Sequence, residues 1–136
     1  VMSWFNTATI TSTGVDSTLA IANTPVSTSY QYLGYFVARS TETYTFYVDS
    51  DDAGYLWLGG SAISGYTTSN ALINDGGGHG VVEVSGSVNL IEGVYYPIRI
   101  QYGMGVTSVA TNLQLKLSVF LNGEFISLIQ ENAKKN

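Results

Sequence analysis

Apolar and polar residues alternate along much of the chain, which is the pattern of strands with one buried face. The alternation is clearest in three stretches, and their predicted buried faces are Tyr44, Phe46 and Val48; Ile98, Ile100 and Tyr102; and Leu113, Leu115, Leu117 and Val119. Shorter strand candidates span residues 4–10, 31–37, 55–59, 81–89 and 120–128. Helical periodicity is almost absent, and residues 70–73 are the one candidate for a helical turn.

Turn-forming sequences separate these stretches. They are NTP at 23–25, GG at 59–60, NDGGGHG at 74–80, EGVYYP at 92–97 and NGE at 122–124. We predict that NGE forms a hairpin turn, and that Pro97 stands at the start of a strand because proline cannot donate within a central ladder. About eight strands with almost no helix predict an all-β fold, an antiparallel β-sandwich. The length of 136 residues suits one domain that spans residues 1–136.

The composition is hydrophobic and sparsely charged, with 45% hydrophobic and 11% charged residues. This composition is typical of a rigid β-rich domain and argues against disorder and coiled coils. A surface with so few charges is more typical of an extracellular, cell-surface or virion-surface module than of a cytosolic enzyme. The absence of cysteine excludes disulfides and thiolate metal sites.

The net charge of −5 leaves no basic surface for nucleic acid. The five basic residues are scattered along the sequence, at Arg39, Arg99, Lys116, Lys134 and Lys135, so no basic stripe is present to neutralise phosphates. The apolar runs are too short to cross a membrane, and we expect no membrane insertion. The sequence opens at Val1 without a signal peptide, so we expect a module of a larger protein.

Three acidic residues, Asp49, Asp51 and Asp52, crowd into four positions between two predicted strands. Successive side chains of a strand point to opposite faces, so Asp51 and Asp52 can act on one ligand only if the backbone leaves strand geometry between them. Ca²⁺ takes six to eight oxygen ligands, and two adjacent carboxylates supply several of them and neutralise its charge. The alternative is that the aspartates stop a strand and cap a turn.

A catalytic function is not expected. Glycosidase carboxylates stand about 5 to 9 Å apart across a sugar, which adjacent residues facing one way do not satisfy. No Ser-His-Asp or Cys-His arrangement is present. The single histidine, His79, lies in the Gly-rich stretch with Asn74 and Asp75, which is either a mobile connection or a loop that flanks a ligand site.

The aromatic residues offer a second route to sugar binding, because their faces suit the apolar faces of sugars. Tyr44, Trp57 and Tyr102 follow the apolar alternation and are predicted to be core residues. The candidates for exposed positions that contact a ligand are Trp4, Tyr47, Tyr66 and Tyr95.

Two stretches resemble a known family. YLGYFVARSTETYTFYVDSDDAGYLWLGG, at 32–60, and VYYPIRIQYG, at 94–103, are similar to the protective-antigen-type (PA-fourteen) lectin superfamily, with its GLEYA and fungal flocculin-like adhesin branches. The resemblance spans roughly residues 30–120. It implies a jelly-roll-like β-sandwich in which the peptide between Asp51 and Asp52 is cis, so that both carboxylates chelate one Ca²⁺ that in turn binds two hydroxyls of a terminal sugar.

The resemblance also implies a second calcium loop after Tyr102, and here the sequence departs from the family. The family's Asn ligand falls on Met104, which has no side-chain oxygen. The available donors are then the backbone oxygens of Met104 and Val106, and the side chain of Asn112. The sequence thus predicts metal ligation by Asp51 and Asp52 and by the backbones of Met104 and Val106. A ligand site is predicted from Asp49, Asp51, Asp52, Gly103, Gly105 and His79.

Two functions are compatible with these observations. The first is a calcium-dependent carbohydrate-binding module of an adhesin or other surface or secreted protein, with terminal glycans or surface polysaccharide as partners. The second is a structural or assembly module of a virion, fibre or cell-surface layer that uses the same fold without sugar binding, because fold alone does not determine function. Self-assembly within a larger surface protein belongs to the second.

Overall fold

The computed structural model describes residues 9–14, 19–24, 28–50, 53–76, 82–103, 113–120 and 123–134 of the chain. In these ranges the chain forms ten strands: β1 (Thr9–Gly14), β2 (Leu19–Thr24), β3 (Thr28–Ala38), β4 (Glu42–Ser50), β5 (Ala53–Leu58), β6 (Ile73–Asp75), β7 (Val82–Leu90), β8 (Tyr95–Gly103), β9 (Leu113–Phe120) and β10 (Gly123–Lys134). A four-residue helix, α1 (Gly60–Ile63), and a single 3₁₀ turn (Thr68–Asn70) lie between β5 and β6.

The strands form two antiparallel sheets. The six-stranded sheet has the order β1-β10-β3-β8-β5-β6, and the four-stranded sheet has the order β2-β9-β4-β7. The prediction of an all-β antiparallel sandwich is therefore confirmed. Among the described residues, no helix is long and apolar enough to cross a membrane.

The core lies between the sheets and follows the alternation read from the sequence. Tyr44, Phe46 and Val48 are fully buried on the inner face of β4. The ring of Phe36, on the opposite sheet, packs edge-on against Tyr44 and Phe46, with centroid distances of 5.7 Å and 5.0 Å. The inner face of β8 is equally buried, at Ile98, Ile100 and Tyr102. Each such side chain stabilises the fold by about 1.5 to 3 kcal/mol through removal of apolar surface from water.

The predicted hairpin turn at residues 122–124 is wrong. β9 and β10 belong to different sheets: β9 pairs with β2 and β4, whereas β10 pairs with β1 and β3. Gly123 is required for a different reason, because a Cβ at this position would overlap the ring of Phe36. The glycine at position 123 is therefore explained by packing against Phe36 in the core, and not by a local hairpin turn.

A segment between β5 and β6, residues 59–72, folds over the outer face of the six-stranded sheet. It buries Trp57 completely, and the Trp57 indole nitrogen donates to the carbonyl of Thr67 at 2.8 Å. Trp57 is buried as predicted, but it lies on the outer face of β5 and not in the core between the sheets. The helical turn predicted at 70–73 lies earlier, at Thr68–Asn70, because Ile73 begins β6 and packs into the core.

β8 begins two residues before Pro97. The proline pairs with Tyr35 of β3, and its carbonyl accepts from the backbone N–H of Gly59 at 2.8 Å. The predicted strand start at Pro97 is therefore two residues too late, because Tyr95 and Tyr96 already pair with Val37 and Phe36 of β3.

Candidate functional site

The chain changes sheet between Ser50 and Ala53. Ser50 is the last residue of β4 in the four-stranded sheet, and Ala53 is the first residue of β5 in the six-stranded sheet. The sequence between them consists of Asp51 and Asp52, which lie outside the described residues. The paired aspartates therefore form the link between the two layers of the sandwich.

Strand register brings two other connections to the same end of the sandwich. Ala53 pairs with Gly103, the last residue of β8, while Ser50 pairs with Leu115 near the start of β9. The connection at residues 104–112 therefore begins beside one flank of the aspartate pair and ends beside the other.

The connection at residues 77–81 is anchored in the same way. Gly54 pairs with Asp75, the last residue of β6, and Ser50 pairs with Val82, the first residue of β7. Three connections that cross between the sheets thus start and end within a few residues of the aspartate pair. We call this end of the sandwich the crossover end.

The sequence-predicted site residues all belong to the strands or connections of the crossover end. Gly103 is described and buried. Met104, Gly105 and Val106 lie in one converging connection and His79 lies in the other. These four residues, like Asp51 and Asp52, lie outside the described residues, so their roles stay predictions.

A buried polar pair joins the two sheets at the crossover end. The Ser50 hydroxyl donates to the Asp75 Oδ2 atom at 3.3 Å. Ser50 is fully buried, and Asp75 is 8% exposed. Gly54 leaves room for this contact, since a Cβ there would stand 2.8 Å from the Ser50 hydroxyl oxygen. The sequence predicts Asp75 in a Gly-rich loop, either a mobile connection or one that flanks a ligand site, whereas the structure places it in β6. Its contact with Ser50 has no local sequence signal.

The chemistry of the crossover end fits a hard cation. The described polar side chains that border the aspartate pair, Ser50 and Asp75, carry oxygen atoms, the ligand type that Ca²⁺ prefers. In the part of the chain that the structure describes, no three His, Asp or Glu side chains group closely enough to hold a metal.

Asp49 lies on the outer face of β4, because the alternate residues Val48 and Ser50 point into the core. Its register neighbours are Glu83 on β7 and Lys116 on β9. Asp49 thus contributes negative charge close to the crossover end, on a different face from Ser50.

The aromatic candidates occupy other parts of the molecule. Tyr95 is 59% exposed, Tyr47 is half-buried on the outer face of β4, and Trp4 lies outside the described residues. Tyr66 is half-buried, and its ring packs edge-on against Trp57 with a centroid distance of 5.2 Å. Tyr66 therefore belongs to the packing of the 59–72 segment.

The outer face of the six-stranded sheet also carries a groove of about 340 Å³. Its lining residues are Leu33, Gly34, Tyr35, Ala62, Ile63, Pro97, Ile98 and Arg99. Arg99 is held in place, since its Nε donates to the carbonyl of Ala62 at 2.9 Å and its Nη1 donates to Gln31 Oε1 at 2.7 Å. Tyr35 and Ile63 expose 45% and 65% of their surface.

The GLEYA domain family matches residues 28–117. That range contains the aspartate pair, all three connections of the crossover end and the 59–72 segment. The chain therefore belongs to the GLEYA domain family, which confirms the GLEYA branch of the resemblance seen in the sequence. Comparison with curated proteins gives no match.

Solved structures share the fold at low sequence identity. Two structures of a β-glucosidase from Kluyveromyces marxianus each have a TM-score of 0.50 over 68% of this chain, at 18% identity for the complex with glucose and 17% for the selenomethionine form. The chain spans only 10% and 11% of the length of those two chains.

The A domain of epithelial adhesin 6 from Candida glabrata, in complex with Galβ1-3GlcNAc, has a TM-score of 0.48 at 18% identity over 79% of this chain and 55% of its own. These similarities concern the fold.

Proposed function

We propose that the chain is a calcium-dependent carbohydrate-binding module of a cell-surface or secreted adhesin, and that it has no catalytic activity. The observation that supports this function most directly is the convergence of three inter-sheet connections on the Asp51–Asp52 link. Membership of the GLEYA domain family adds to it, because lectin domains of this kind bind sugars at an aspartate pair. The expected partners are terminal glycans or surface polysaccharide.

Each residue named from the sequence has a proposed role in binding the cation or the sugar. Asp51 and Asp52 would hold the ion through their carboxylates, and the backbone oxygens of Met104 and Val106 would add two further ligands. Bound Ca²⁺ would supply a doubly charged centre with open positions for two sugar hydroxyls. Gly103, Gly105 and His79 are the other residues proposed to contact the ligand, while Asp49 adds to the negative field.

The similarity to a β-glucosidase does not favour an enzyme. The chain spans about a tenth of those proteins, and their shared part is identified by fold alone. A pair of adjacent carboxylates also lacks the separation that glycoside hydrolysis requires.

Thermal unfolding in chelator and in millimolar calcium tests the metal site. A ligand at about 100 times its Kd stabilises the folded state by about 2.7 kcal/mol, which raises the midpoint of a domain of this size by several degrees. We expect this rise in the wild type and its loss in Asp51→Asn and Asp52→Asn.

A glycan screen with and without calcium then tests the carbohydrate. We expect binding that chelation and both substitutions abolish. Sugar binding that survives chelation and both substitutions would show that the aspartate pair is not the site.

The second candidate function is assembly, which the groove on the six-stranded sheet favours. Tyr35, Ile63 and Pro97 form a contiguous apolar surface there, on the outer face of the sheet. A second copy of this chain is the occupant that an assembly module requires. Sedimentation analysis of the wild type and of Ile63→Asp in chelator tests it: a concentration-dependent oligomer that the substitution disperses supports assembly, and a monomer throughout rejects it.

A further inference from the structure

Asp75 contacts the chain on both sides of the aspartate link. Its backbone pairs with Gly54, two residues after Asp52, and its carboxylate accepts a hydrogen bond from the hydroxyl of Ser50, immediately before Asp51. One residue of β6 is therefore tied to the six-stranded sheet through its main chain and to the four-stranded sheet through its side chain.

We propose that Ser50 and Asp75 form a latch that positions the Asp51–Asp52 link for cation binding. This inference rests on the proposed function. Neither latch residue needs to contact the ion: Asp75 acts through Ser50, and Ser50 acts through its peptide bond to Asp51. Both are positioning residues.

Burial makes the latch effective. Ser50 is fully buried and Asp75 is 8% exposed, so water competes weakly for their hydrogen bond. The neighbouring Gly54 has room for no side chain, because a Cβ there would also stand 2.8 Å from Val48 Cγ1.

Positioning of this kind matters because a cation site loses affinity when its ligands are free to move. Hydrogen-bond partners that orient metal ligands contribute about 10- to 100-fold to metal affinity. Ser50 and Ala53 flank this link in the two sheets, so the distance between them sets the span that Asp51 and Asp52 must bridge. The latch fixes the distance between those flanks.

Isothermal titration calorimetry with CaCl₂ tests the latch on purified wild type, Ser50→Ala, Asp75→Asn, Asp75→Ala and the double variant Ser50→Ala/Asp75→Ala. Circular dichroism first establishes that each variant is folded at the titration temperature. We expect Ser50→Ala to weaken calcium binding about tenfold. Because the two residues act as one unit, the double variant is expected to bind no more weakly than Asp75→Ala alone.

Two matched controls separate the latch from other effects. Thr43→Ala removes another hydroxyl hydrogen bond from β4, the one to Asn89 Oδ1 at 2.6 Å at the far end of the strand. It is expected to lower stability without changing calcium affinity. Glu83→Gln removes one exposed negative charge near the crossover end, and we expect less than a twofold change in affinity.

The outcomes are distinguishable. Unchanged calcium affinity in Ser50→Ala, with weaker binding in Asp75→Asn, would show that Asp75 acts through its charge and would overturn the latch. Unchanged calcium affinity in Ser50→Ala, Asp75→Asn and Asp75→Ala would also overturn the latch. If Asp51→Asn still abolished calcium binding in that case, the proposed function would remain intact. Absence of calcium binding in the wild type would overturn both.

Discussion

The guanidinium carbon of Arg99 lies 4.1 Å from the centre of the Tyr66 ring. Arg99 projects from the outer face of β8, and Tyr66 belongs to the 59–72 segment. Because Tyr66 also packs against Trp57, its ring joins the segment to two strands of the sheet at once. A cation over an aromatic face contributes about 0.5 to 1 kcal/mol when exposed and more when desolvated.

Replacement of Tyr66 by leucine is therefore expected to destabilise the fold. We predict a loss of about 1 to 2 kcal/mol, from the cation contact and the edge-on aromatic contact together. Urea unfolding followed by tryptophan fluorescence measures it. Tyr95→Leu is the matched control, since Tyr95 is 59% exposed and its loss should change stability by less than about 0.5 kcal/mol. Equal effects in the two variants would contradict a structural role for Tyr66.

Gly54 should tolerate no side chain. Gly54→Ala would place a methyl group 2.8 Å from both Ser50 Oγ and Val48 Cγ1, so a core side chain or the backbone must shift. We expect a loss of about 1 to 3 kcal/mol in the free energy of unfolding. Gly60→Ala is the control, because nothing lies within 4 Å of a Cβ at that position. A stable Gly54→Ala variant would show that the sheets separate easily at the crossover end.

Tyr32 carries a buried hydroxyl that has no hydrogen-bond partner among the described residues. Burial raises the pKa of the Tyr32 phenol far above its usual range, and the neighbouring Tyr30 phenol adds to the shift. The unfolded chain loses this proton near pH 10, whereas the folded chain keeps it. The stability that the neutral phenol contributes is therefore fully present below about pH 10 and is lost as the pH rises toward the folded-state pKa.

Replacement of Tyr32 by phenylalanine removes both the buried hydroxyl and the phenol with the raised pKa. We predict a gain of about 1 kcal/mol at neutral pH, because the unpaired hydroxyl no longer has to be buried, and a shallower fall in stability above pH 10. Denaturant unfolding at pH 7 and between pH 9.5 and 11.5 measures both. Tyr95→Phe is the matched control at an exposed position. A steep slope retained in Tyr32→Phe would assign the alkaline loss to another group.

Met104 offers a prediction about calcium affinity that rests on the proposed function. Met104→Asn would add a side-chain oxygen where the resemblance places one, and we expect calcium to bind about tenfold more tightly, since hard cations gain from each added oxygen ligand. Calorimetry measures the change, and Met104→Leu is the control that alters the side chain without adding oxygen. A change of equal size in both variants would show that the gain is not due to ligation.

The sequence identified buried residues most reliably where apolar and polar positions alternate along a strand. Tyr44, Phe46 and Val48 lie on the buried face where the pattern places them, because a one-residue shift would expose the whole row. Trp57 shows the limit, since its burial depends on the 59–72 segment and not on its own strand.

The sequence alone determined that this chain forms strands, which faces of them are apolar, and where oxygen ligands crowd together, because these properties depend on residues close together in the chain. Tertiary structure decided which strands share a sheet. That choice placed β9 and β10 in different sheets, brought Asp75 to Ser50 across 25 residues, and gathered three connections around Asp51 and Asp52. Strand pairing and sheet packing depend on contacts between segments that are far apart in the sequence, so local sequence patterns do not predict them.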